Sequence, residues 1–170
     1  MANSTVYAMT INITNNTDND LKPLGATFYD GDGDVQQQPK TVLAHSTGDG
    51  GVLEKVGGTD GLFGLVAYAT PDPTQTLVIY ITMPALSGTN NHCWVGLVPS
   101  STNINPALAK SCYDGPPSGF SEGQITWKFS QSGEKFFLVV KPSVADKRAY
   151  LTSSTVELDI YHQGSEPSGS

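Results

Sequence analysis

Residues 30–34 read Asp-Gly-Asp-Gly-Asp, three carboxylates at alternate positions. Oxygen ligands so spaced suit a hard cation, and Ca²⁺ is the one such sites usually hold. The same stretch is also turn chemistry, because Asp-Gly pairs between strands supply the backbone conformations of tight connections. An EF-hand is excluded: Val35 stands where its sixth position needs Gly, and Thr41 where its twelfth needs Glu. Three readings remain for Asp30, Asp32 and Asp34: a solvated turn, a looser Ca²⁺ site, or the rim of a site for a cationic ligand. The histidines, His45, His92 and His162, lie in unrelated contexts, and no GxSxG, HExxH or phosphate-binding loop is present. The expectation is a non-enzymatic protein with no cofactor, Ca²⁺ at the three aspartates excepted. Cys93 and Cys112 fit neither a zinc pattern nor a CxxC pair. They are either a disulfide, stabilising by about 3 kcal/mol through loop closure, or two buried thiols.

Composition limits the partners. Sixteen acidic against nine basic residues give a net charge of −7, a field that repels nucleic acid and anionic lipid surfaces. Neutral lipids, sugars and proteins remain. The longest apolar run, Leu62 to Ala69, is too short to span a bilayer. The start has no basic region followed by an apolar one, so the expectation is a protein released or secreted without a visible signal peptide.

The elements that must position these residues are mostly strands. With 18 Gly, 11 Pro and 15% charged residues, the chain is poor in the residues that build helical bundles. Alternation predicts strands over 9–14, 76–83, 124–130, 135–140 and 155–162, with Met9, Ile11, Ile13, Leu77, Ile79, Ile81 and Met83 facing inward. "LFGLVAYA" (62–69) is apolar on both faces, as a strand covered on each side would be. A further strand opens at Cys93. "NPALAKSC" (105–112) predicts a short helix with Pro near its start. Turn-rich stretches, among them "STGDGG" and "YDGPPSG", lie between. The expected architecture is all-β: one antiparallel two-sheet β-sandwich with one or two short flanking helices over 1–163, and a disordered tail over 164–170.

From Met9 to Val98 the order of "ITNN…TFYDG", "GLVAY", "LVIYITMP" and "NNHCWVGLV" resembles the actinoporins, the sea-anemone pore-forming cytolysins with relatives in plants and fungi. "STVELDIYH" sits where that family has its last strand. The resemblance implies a two-sheet sandwich and a phosphocholine headgroup site at the membrane-facing end. Carried over residue by residue, that site falls at Asp30, Phe63, Thr82, Pro84, the 88–92 loop with Asn91 and His92, and Tyr113. Asp32 joins it through the opening loop, where carboxylates would attract a quaternary ammonium by charge.

This sequence departs from the family in three ways. Only eight residues precede Met9 where the family has its amphipathic pore helix, and they show no amphipathic period. The loop aromatics that family members insert at the interface are replaced by Asn90, Asn91 and His92. Basic residues are scarce. The related fungal fruit-body lectins share the fold, lack the pore helix and bind sugars. The sequence thus predicts a cytolysin-like defence or toxin protein that binds a lipid headgroup, with a lectin-like glycan-binding module as the alternative. Permeabilisation would need another inserting segment, a partner protein or assembly of copies on the membrane.

Overall fold

The computed structural model describes residues 6–29, 33–56, 61–70, 73–84, 91–122, 125–131, 134–144 and 153–162. Asp30, Asp32, Asn90 and the 164–170 tail lie outside them. Among the described residues ten strands and one helix follow in order: β1 (Val6–Asn16), β2 (Lys22–Phe28), β3 (Asp34–Gln37), β4 (Ser46–Val56), β5 (Gly61–Ala69), β6 (Gln75–Pro84), β7 (His92–Pro99), α1 (Pro106–Asp114), β8 (Ile125–Gln131), β9 (Glu134–Val144) and β10 (Ser153–His162). They form a β-sandwich of a six-stranded sheet, β3-β4-β1-β10-β9-β8, and a four-stranded sheet, β2-β5-β6-β7. Pairing is antiparallel throughout except between β1 and β10, which run parallel.

The expected alternation builds the core. Met9, Ile11 and Ile13 of β1 meet Leu77, Ile79, Ile81 and Met83 of β6, all fully buried between the sheets. Each such side chain contributes about 1.5–3 kcal/mol by leaving water. The opposite faces of β5 and β6 are buried too: Leu65, Val78 and Tyr80 form a second cluster with Val98 of β7 and with Ala109 and Cys112 of α1. The helix begins where its capping chemistry dictates. The Asn105 side chain accepts a hydrogen bond from the Leu108 amide at 3.1 Å, and Pro106 opens the first turn.

β4 contains the glycine-rich stretch that reads as a turn. Its glycines answer to tertiary contacts: a Cβ on Gly50 would lie 2.7 Å from the Ile11 side chain, and Gly51 sits at φ +106° where the β1–β4 register shifts. At the far end from residues 28 and 63, Asn15 is fully buried and donates to the Asn19, Val42 and Leu43 carbonyls, closing the connection between β1 and β2.

The cysteines correct one of the two readings: both are free and buried, and no Cys93–Cys112 bridge forms. Cys93 belongs to the core between the sheets, while Cys112 packs from α1 onto the opposite face of the four-stranded sheet. The sheet itself separates them. Burial, reinforced by the Glu122 charge, pushes the Cys93 thiol up to about 12 from 9.0, and burial pushes Cys112 to about 11. The unfolded chain ionises both near pH 9.0, so their stabilising contribution is full below that pH and is lost as pH rises through the folded values. Urea midpoints should therefore hold steady up to pH 9.0 and fall between 9.0 and about 12, with Cys93→Ala removing much of the fall. A thiol assay of the denatured, unreduced chain should find two thiols, both slow to react in the native protein.

Candidate ligand-binding site

The outer face of the four-stranded sheet, on the side that carries α1, brings four of the eight expected residues together: Phe63, Thr82, His92 and Tyr113. Phe63 of β5, Thr82 of β6 and His92 of β7 stand in lateral register as one row across three strands. One row inward come Leu65, Tyr80 and Trp94, likewise in register. Tyr29, just beyond β2, continues the first row, its amide donating to the Phe63 carbonyl at 3.0 Å. The last turn of α1 then lays Tyr113 over the end of the sheet. Its ring stacks on Tyr29 at 3.9 Å between centroids and 18° between planes, and meets Phe63 edge-on at 5.0 Å and 86°. Tyr113 remains 43% exposed, one of three large hydrophobic side chains that do so among the described residues.

Charges surround these rings in matched pairs. Lys110 donates to the Asp114 carboxylate at 2.6 Å, and that hydrogen bond, then the Asp114 charge, holds the ammonium above its ordinary value, with a smaller push from Tyr29. His92 Nδ1 is paired with Glu122. Both pairs are exposed, and such pairs contribute little to stability. Their effect is local: among the described residues, the Lys110 ammonium near the rings already has its carboxylate, and the His92 ring is occupied by Glu122. The Glu122 segment is held on the edge of β7 by the reciprocal Val95–Ser121 backbone bonds and by Phe120, whose ring lies over Gly96.

Several expected residues lie elsewhere. Asn91 is fully buried, one residue before His92 and therefore on the opposite face, so the carried-over role in ligand contact does not hold for its side chain. Pro84 ends β6 in register with Gly61. Asp34 lies on the six-stranded sheet, accepting from Gln36 at 2.7 Å and opposite Glu54 in register, away from the ring cluster. Among the described residues no group of three His, Cys, Asp or Glu side chains is placed to hold a metal ion. Asp30 and Asp32 are not among those residues.

Three residues were not expected: Tyr29, Tyr80 and Trp94. Their signal was parity, since Tyr80 shares a face with Thr82 in an alternating strand, and Trp94 and Tyr29 fall on that face once registers are known. Tyr80 is 2% exposed, and burial, then the nearby Cys112 and Tyr113 groups, holds its phenol well above the ordinary value.

No protein-family model and no curated protein matches the sequence. Among solved structures the chain is similar to the crystal structure of the lipid binding protein Nakanori, with a TM-score of 0.63 and 12% identity over 91% of this chain and 71% of that one. At that identity the likeness is one of fold, the level at which the actinoporin resemblance also stands.

The ring contacts of Tyr113 are worth about 0.5–1.5 kcal/mol each at most, and the residue is largely solvated. Tyr113→Ala should therefore stay folded, its stability by urea unfolding reduced by no more than about 2 kcal/mol. A larger loss would make the ring a structural element of the sandwich.

Proposed function

We propose that this protein binds the headgroup of an uncharged or zwitterionic membrane lipid at the Tyr29–Phe63–Tyr113 cluster and catalyses no reaction. The observation that carries this reading is three converging rings at one end of the sheet, with an exposed face and with the neighbouring Lys110 already paired with Asp114. Ring faces attract a quaternary ammonium through their quadrupole, so a phosphocholine-like headgroup fits this chemistry. An anionic headgroup finds no unpaired cation beside the rings among the described residues, and it meets a chain of net charge −7. The similarity of fold to a lipid binding protein supports the same class of ligand. Tyrosine at a membrane interface keeps its ring among headgroups and its hydroxyl in water, and Tyr113 is exposed enough to do so.

The biological role that follows is that of a released defence or toxin protein of the cytolysin type, acting at the surface of a target cell. Among the described residues no helix is long and apolar enough to cross a membrane. Permeabilisation would then depend on assembled copies, a partner protein or another segment. A glycan-binding reading draws on one observation, the Thr82 side chain and His92 beside the Phe63 ring, a combination of polar groups and ring that also suits sugars.

Sedimentation with phosphatidylcholine vesicles tests the proposal. The wild-type chain should pellet, and Tyr113→Ala, folded, should bind about tenfold more weakly. Raising salt from about 0.1 M to about 0.5 M should change the affinity by less than about twofold, because ring faces rather than unpaired charges make the contact. Agglutination of cells that a free sugar reverses, without vesicle binding, would establish the glycan reading instead.

A further inference from the structure

Tyr80 is almost wholly enclosed, at 2% exposure, and lies in the cluster beneath α1. Among the described residues its hydroxyl has no hydrogen-bond partner, and it is not one of the atoms sealed from solvent. The hydroxyl is therefore nearly but not completely enclosed. Its electrostatic neighbours, Cys112 and Tyr113, both belong to the last turns of α1, which places it under the ring that caps the candidate site. Thr82 stands two residues further along β6 on the same face, in the row of Phe63 and His92, and its hydroxyl likewise has no partner among the described residues.

A buried phenol normally finds a partner, and one left without is a standing cost that a core of the same shape would avoid with Phe. The cost is consistent with a group kept for a ligand. The phenol stays neutral across the physiological range, because burial holds it well above its ordinary value, so it offers a proton rather than a charge. In a phosphocholine headgroup the phosphodiester lies two methylenes from the quaternary nitrogen. With the nitrogen on the exposed rings, the phosphodiester oxygens are the acceptors nearest the recess.

We infer that Tyr80 is a ligand-binding residue whose buried hydroxyl donates a hydrogen bond to a phosphodiester oxygen of the lipid headgroup held by the Tyr29–Phe63–Tyr113 rings. The inference rests on the lipid reading above and adds to it the recognition of the phosphate. Tyr80 lies within the strand that carries the family resemblance but is not among the site residues carried over from it. The bond would form as the headgroup displaces whatever water reaches the recess, and it would select headgroups with an acceptor next to the cation over those with the cation alone.

The test is Tyr80→Phe, which removes one hydroxyl that has no partner among the described residues. Its thermal midpoint should equal or exceed that of the wild type, which a structural role for the hydroxyl would contradict. On phosphatidylcholine vesicles its affinity should fall about tenfold, the usual scale for a hydrogen bond to a charged acceptor. A lipid with a trimethylammonium headgroup and no phosphate, presented at high salt to suppress general attraction to the acidic chain, should bind both proteins alike and weakly. Equal binding of the two proteins to phosphatidylcholine overturns the inference while leaving the lipid reading in place. A tenfold difference that persists on the phosphate-free lipid overturns it as well. If the wild type pellets with neither vesicle, the lipid reading itself fails.

Discussion

A sheet buried on both faces has to be covered twice, and the site follows from how unequally that is done here. The inner face of β2-β5-β6-β7 is covered by the whole six-stranded sheet, through fully buried Leu77, Ile79, Ile81 and Met83. The outer face has a nine-residue helix whose own buried residues are Ala109 and Cys112. A helix of that length spans about 13 Å, less than half the length of β6 extended at about 3.3 Å per residue. It covers Leu65, Val78 and Tyr80, and then ends. Phe63, Thr82 and His92 are the row left over, and Tyr29 and Tyr113 close on it from the side. The candidate site is thus the unfinished part of the thinner layer. Because a small helix buries few side chains, it is also the layer whose local displacement costs least, which would suit the proposed entry of a headgroup.

Much of this was legible wherever alternation was strict. β1 and β6 contain the runs that show it, β5 coincides with the run apolar on both faces, and α1 with its Asn-Pro start. What was not legible depends on contacts between residues remote in sequence. The glycines of β4 look like turn residues until Ile11 and Ile13 are placed against Gly50, where no Cβ fits. The parallel pairing of β1 with β10 joins the two ends of the described chain, and nothing local announces it. The cysteines were undecided for a similar reason, since the face on which each lies decides the question and the sheet stands between them. In the site, Phe63, Thr82, His92 and Tyr113 came through family resemblance, whereas Tyr80 and Trp94 needed only the registers of β5, β6 and β7. Asn91 shows the limit of carrying over a loop as a block: neighbouring residues entering a strand face opposite ways, and only one of Asn91 and His92 can look outward.

The electrostatics explain why an acidic protein need not be excluded from membranes. Long-range attraction to a surface requires unpaired positive charge, and among the described residues near the rings Lys110 has Asp114 while the His92 ring is hydrogen-bonded to Glu122. Both pairs are too exposed to add appreciably to stability, so their consequence lies in what they remove from the neighbourhood of the rings. A headgroup that carries its own opposite charges loses nothing on meeting such a surface. A net anion loses the solvent's screening and gains no cation in return. Selection at this end of the molecule is then a matter of short-range contact, which acts only after the two surfaces have met.

That order of events bears on the uncommitted hydroxyl of Tyr80. A donor at the surface would be satisfied by water in the free protein, and trading water for a ligand oxygen would gain little. Enclosed near Tyr113, it has no partner among the described residues and little access to solvent, so an acceptor that reaches it would replace a poorly solvated state rather than a good one. The same enclosure raises the demand on geometry, since an oxygen must enter past the rings to be counted. A ring cluster alone would accept many cations. Rings above a recessed donor ask for a cation with an acceptor at a fixed remove, and that second condition turns general affinity for ammonium groups into recognition of a particular kind of headgroup.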